Sequence, residues 1–156
     1  MITRIDTIDE IKPIFTEYLA YICQFFAIAD YDSWCEGALK NLSLYSIKNN
    51  RHIYIIKESE SIIGFAFVNK HLRFNTDGFA VAEFYIRKDH EKKGYGRKLA
   101  EHVFEQFPGN WEVAVALKNN SARVFWKQVL SFCTHDTFTE KRNASFNGYG
   151  FLFNNA

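Results

Sequence analysis

Two closely spaced glycines constrain this chain more than any other feature. Residues 90–107 read HEKKGYGRKLAEHVFEQF, and Gly94 and Gly96 stand in a chain with only eight glycines, just before a periodic apolar stripe. Residues 78–86, GFAVAEFYI, have β character, so a strand feeds a glycine turn that opens a helix. Such a junction gathers unpaired N–H groups at one point, and the helix dipole makes that point attractive to anions. Phosphate is the natural guest. Gly94 and Gly96 remove β-carbons that would hold a pyrophosphate away, and Lys92, Lys93, Arg97 and Lys98 add positive charge. The same glycines would also serve a helix entry that needs unusual backbone angles.

The rest of the chain supplies a sheet and helices around this junction. Ile11, Ile14, Phe15, Tyr18, Leu19, Ile22, Phe25 and Phe26 recur at helical spacing, with Pro13 in the first turn. A second helix, with Ser33 as its N-cap, runs to about Ile47 and carries Trp34, Ala38, Leu42 and Tyr45; residues 48–51 then break the pattern. Residues 52–57 and 61–70 read as an antiparallel hairpin, and residues 78–86 follow the turn-like FNTDG. A helix from Gly96 to about Phe107 stops at Pro108 and Gly109. Residues 111–117 form another strand, residues 121–130 a helix with Ser121 as cap, and the tail 146–155 a turn and an aromatic strand. The order ααβββαβαβ, with a further strand near 134–140, implies an α+β (three-layer α/β) fold. Its central sheet is mixed and mostly antiparallel, flanked by helices.

Length and charge narrow the function. At 156 residues and 47% hydrophobic, the chain 1–156 suits one domain with one substantial core. A formal charge of +1 provides no global field toward nucleic acid or anionic membrane, so neither is an expected partner. Cys23, Cys35 and Cys133 are odd in number and unpaired by spacing, which fits a reducing cytoplasm, and the charged start lacks a signal-peptide core. The five histidines lack metal spacing, so no metal is expected. A homodimer through the aromatic C-terminal strand is compatible with the sequence.

The familiar nucleotide motifs do not match. Arg97 and Lys98 follow the second glycine where a P-loop has Lys and Ser/Thr, and Leu99 occupies the third glycine of a dinucleotide fingerprint. The segment FYIRKDHEKKGYGRKLAEHVF instead resembles motif A of the GNAT superfamily, the acyl-CoA-dependent N-acyltransferases, with Ile86 at the strand end, Gly94 and Gly96 on the glycines, and Glu91 where Gln or Arg is usual. NNSARVFWKQVLSF is similar to that family's Asn-x-x-Ala helix through Asn119 and Ala122. Phe125 keeps the aromatic, and Trp126 stands where many members have tyrosine.

The resemblance implies transfer of an acetyl group from acetyl-CoA to a primary amine by direct attack in a ternary complex. It places the pyrophosphate on the amides of Lys92, Lys93, Gly94, Tyr95, Gly96 and Arg97. It places the pantetheine along Phe84, Tyr85 and Ile86, with Asn119, Phe125 and Trp126 beside it. Glu83 and Glu112 are candidate bases because each is a carboxylate in an otherwise apolar strand, where burial raises the pKa; Glu83 is favoured. The indole of Trp126 cannot act as a general acid, which leaves Tyr85 and Tyr149 as candidates, or unaided thiolate departure. A catalytically silent CoA-binding sensor or interaction module is the alternative on the same fold. The acceptor is not legible: Tyr18, Tyr21, Phe25, Phe26, Tyr31 and Trp34 could line an apolar pocket, but burial preferences place them in the core.

Overall fold

Apolar runs that alternate with turns build a seven-stranded sheet, in a computed structural model that describes residues 1–46, 50–143 and 147–156. The strands are β1 (Ile2–Ile5), β2 (His52–Glu58), β3 (Ser61–Asn69), β4 (Phe79–Ile86), β5 (Asn110–Ala116), β6 (Thr139–Asn143) and β7 (Gly148–Asn154). The helices are α1 (Lys12–Ile22), α2 (Tyr31–Ser43), α3 (Tyr95–Gln106) and α4 (Asn120–Thr134). The sheet order is β1-β2-β3-β4-β5-β7-β6, and every pairing is antiparallel except β4 with β5. The mixed, mostly antiparallel sheet expected from the sequence is the one that forms.

Each face of the sheet has its own core, which explains why the strands read as nearly continuous apolar runs. On one face α3 and α4 cover Val81, Trp111, Val113 and Phe151. On the other, α1 and α2 cover Ile53, Ile55, Phe65 and Phe67. Among the described residues no helix is long and apolar enough to cross a membrane.

Several local details differ from the sequence expectation. β1 is an additional four-residue edge strand on β2, and β6 lies at 139–143 rather than 134–140. Asp30, not Ser33, caps α2: its carboxylate accepts from the Ser33 N–H at 3.2 Å. Asn119, not Ser121, caps α4 by accepting from the Ala122 N–H at 3.1 Å. The expected end of α2 near Ile47 lies outside the described residues.

Two irregularities open the sheet at its centre. β4 and β5 pair only from Phe79 with Trp111 to Val81 with Val113. Beyond Val81, β4 continues on β3 to Ile86, while β5 continues on β7 to Ala116, so the two strands part. At the same level the β3–β4 register steps from Phe67 with Glu83 to Val68 with Val81, a β-bulge that leaves Ala82 without a partner.

Candidate functional site

The parting strands form the floor of a cleft of about 1790 Å³. Its walls come from α1 and α2 on one side and from the α3 entry and α4 on the other. The α3 N-terminus opens at one end. Gly94 is its N-cap, with φ 86° and ψ 0°, a left-handed conformation that costs other residues about 1–2 kcal/mol. No side chain caps this terminus, and the first helical bond runs from the Lys98 N–H to the Gly94 carbonyl. The N–H groups of Tyr95, Gly96 and Arg97 are therefore available to an outside acceptor. A β-carbon on Gly94 would meet nothing within 4 Å, so the space over the turn is open, and Lys92 and Arg97 border it. These residues fit a pyrophosphate.

The two glycines do different work. A β-carbon on Gly96 would lie 2.7 Å from Cε1 and 2.8 Å from Cζ of Phe125, so Gly96 permits α3 to seat against α4. Gly96→Ala is expected to cost about 1–3 kcal/mol through overpacking, read as a lowered Tm. Tyr95 turns away from the cleft, its hydroxyl bonded to Glu58, and Lys93 does not line the cleft either. Trp126 is only 4% exposed and packs edge-on against Phe84 at 4.8 Å, and it lines the cleft. Asn119 spends its oxygen on the α4 cap. Farther along, α4 presents Val124, Gln128 and Phe132 to the cleft, with the Arg97 guanidinium 4.2 Å above the Phe132 ring.

Glu83 faces the cleft from β4, one residue past the bulge. Burial pushes its carboxyl up to about 7, and a hydrogen bond donated by the Tyr18 hydroxyl partly opposes the rise. Tyr18 comes from α1, and burial together with the Glu83 charge holds its own phenol far above the usual range, so it remains a donor. Sequence patterning assigned Tyr18 to the helix core; only the fold brings it to Glu83, 65 residues away.

The other sequence candidates serve different ends. Glu112 is 2% exposed, and its carboxylate accepts from the backbone N–H groups of Arg73 at 2.6 Å, Phe74 at 3.2 Å and Asn75 at 3.0 Å. It ties the β3–β4 loop to the sheet, an occupation that leaves little capacity to receive a proton from a substrate. Tyr85 donates at 2.9 Å to Glu17, which also holds Arg87 through two nitrogens, and burial and Glu17 both push the phenol upward. Tyr149 lies outside the cleft lining, its ring 4.1 Å from the Arg123 guanidinium and 5.5 Å from that of Arg142. The three cysteines are free, and burial pushes the Cys133 thiol up to about 11. Among the described residues no His, Cys, Asp and Glu group is arranged to hold a metal ion.

Of the N-terminal aromatics expected in the core, Tyr18 alone is buried, and it lines the cleft as well. Tyr21, Phe25, Phe26 and Trp34 line the cleft, and Phe26 is 51% exposed. Tyr31 is outside the lining and packs on Trp34.

Comparisons with known proteins agree with this geometry. The family model for the acetyltransferase (GNAT) family matches residues 13–132. No curated protein is significantly similar in sequence. An acetyltransferase from Thermus thermophilus superposes with a TM-score of 0.72 at 12% identity, covering 99% of this chain and 97% of that one. A spermidine N-acetyltransferase chimera from Vibrio cholerae and hSSAT gives 0.62 at 12% identity, covering 99% and 96%. A structure described as a streptothricin acetyltransferase from Bacillus anthracis str. Ames, in complex with acetyl coenzyme A, gives 0.51 at 18% identity, covering 72% and 66%. These three likenesses concern the fold, whereas the family model reads the sequence itself across most of its length. On that match the chain belongs to the GNAT family of acetyltransferases.

Proposed function

We propose that this protein is an acetyl-CoA-dependent N-acetyltransferase that acts on a primary amine within a ternary complex, with Glu83 as the general base. The observation that carries the reading is a carboxylate with a pKa near 7 at the point where β4 and β5 part, in a cleft that ends at an uncapped helix N-terminus. Acetyl-CoA, when bound, supplies the acetyl group as a thioester. The amides of Tyr95, Gly96 and Arg97, with the charges of Lys92 and Arg97, hold the pyrophosphate. Phe84 and Ile86 of β4 and the cleft face of α4 border the rest of the cosubstrate.

The acceptor arrives largely as an ammonium, which has no lone pair for attack. Glu83 takes its proton, and a pKa near the working pH suits both the taking and the later release. Glu112 is assigned a structural part instead, because three backbone donors occupy it. No tyrosine is assigned as acid: the Tyr85 hydroxyl donates to Glu17 and stays protonated, and Tyr149 is outside the cleft. A thiol is acidic enough to leave as the anion near neutral pH.

The pH profile of kcat/KM tests the assignment. The ionised carboxylate is the working form, so the rate climbs as pH rises through about 7. Tyr18→Phe removes the hydrogen bond that favours the ionised form, so the limb moves to higher pH. A limb that stays in place in Tyr18→Phe would contradict the assignment. Tight acetyl-CoA binding without turnover of any amine would favour the silent CoA-binding module.

A further inference from the structure

Resting on the acetyl-transfer reading, we propose that the acceptor is an aromatic α-amino acid or close relative: a primary amine on an aromatic body, with a carboxylate that Arg51 receives while the amine meets Glu83. The walls on the α1 and α2 side are aromatic. Tyr21 and Phe25 pack with centroids 5.6 Å apart, Phe26 and Trp34 at 6.4 Å, and Tyr45 lies on Phe67 at 4.8 Å. These rings offer a flat apolar surface, and the solvent-exposed Phe26 gains most from a ligand that covers it.

Charge decides what else the ligand carries. Among the described residues the cleft's carboxylates are Glu83, Glu91 and Glu112. Glu112 is consumed by the 73–75 backbone, and Glu91 belongs to the α3 entry. One carboxylate remains for the acceptor, so a polycation would leave further ammonium groups in the cleft without partners. The same region holds a positive charge without an acid beside it. Arg51 Nη2 lies 2.6 Å from His71 Nε2, and a guanidinium only donates, so that ring nitrogen is the acceptor and brings no negative charge to Arg51. Among the described residues Arg51 has no ion-pair partner, and a planar guanidinium is suited to hold a carboxylate.

The spacing suits a ligand of this size. Glu83 is paired with Phe67 on β3, and Arg51 directly precedes His52, which is paired with Val68, the next residue of that strand. Arg51 therefore falls opposite Asn69, and the two charges stand two strands and two residues apart, roughly 12 Å at the backbone. Both side chains line the same cleft. Tyr45 lines the same cleft, its hydroxyl accepting from Asn69 Nδ2 at 3.0 Å. Burial chiefly raises the Tyr45 phenol to about 12, Glu83 adding to the rise and Arg51 opposing it, so both charges reach it.

The test is calorimetric titration of L-phenylalanine, phenethylamine and spermidine into the protein and into Arg51→Met, with acetyl-CoA titrated separately and a thermal melt as fold control. Phenylalanine is expected to bind at least tenfold more tightly than phenethylamine, and spermidine most weakly. In Arg51→Met the gap between the first two closes, while acetyl-CoA affinity and Tm stay near the parent values. With acetyl-CoA present, the parent's kcat/KM follows the same ranking. Absence of phenylalanine binding, equal or better binding of phenethylamine or spermidine, or a gap that survives Arg51→Met would overturn the proposal. Failure of the acetyl-transfer reading has a different signature: phenylalanine ranks first and needs Arg51, yet acetyl-CoA does not bind.

Discussion

Glu83→Gln is expected to lower kcat by about 10²–10⁴-fold, the usual contribution of a positioned base, while acetyl-CoA affinity stays within a fewfold of the parent. The amide keeps the size of the side chain and can accept from Tyr18, but it cannot take the ammonium proton. The rising pH limb near 7 should disappear with it, because the group that titrates there has gone. Stability moves the other way. A carboxyl raised above its unfolded value gives stability that is full below about 4.5 and is lost as pH rises through about 7. Glu83→Gln removes that loss, so the variant should melt at a higher temperature than the parent at pH 8 and show no such advantage at pH 4. Lower activity with higher alkaline stability is the pattern expected of a functional carboxylate held in a destabilising place. A variant that keeps the parent turnover would exclude Glu83 as the base.

Glu112→Ala is expected to destabilise the protein by about 2–4 kcal/mol, since three part-buried backbone donors lose a charged, buried acceptor at once. The anchored loop lies across β7, where the Phe74 ring occupies the space that a β-carbon on Gly150 would need. Loss of the anchor should therefore free residues 73–75 before the rest of the sheet opens. Hydrogen exchange at those amides, with denaturant unfolding, reads both effects. Glu112→Gln retains one acceptor oxygen and should lose less stability while keeping most of the turnover. A catalytic role for Glu112 would give the opposite result, with a stable Gln variant that is inactive.

What the sequence made legible was local. The glycine turn, the apolar strands and the Asn-x-x-Ala segment each depend on neighbours a few residues away, and each formed where expected. The unread parts depend on partners distant in the chain. Glu112 and Glu83 look alike as carboxylates in apolar strands; their difference comes from N–H groups 37 to 39 residues from one and a phenol 65 residues from the other. Gly96 looked like a second phosphate glycine because the ring of Phe125, on another helix, is not visible from the turn. The edge strand β1 has four residues and weak patterning, so pairing with β2, rather than propensity, defines it. The cleft aromatics of α1 and α2 follow the helical period of core residues, and only the parting of β4 and β5 leaves some of them open to a ligand.

The central claim is that the open α3 entry at Gly94 holds the pyrophosphate of acetyl-CoA, and calorimetric titration of acetyl-CoA into the parent and into Gly94→Val tests it most directly. The new side chain meets no protein atom within 4 Å of its β-carbon and costs only the backbone strain of a positive φ, so the variant should fold with a modestly lower Tm. It should also lose at least tenfold in acetyl-CoA affinity, because the side chain fills the space above the free amides. A parent that does not bind acetyl-CoA, or a folded Gly94→Val that binds as tightly as the parent, would contradict the account.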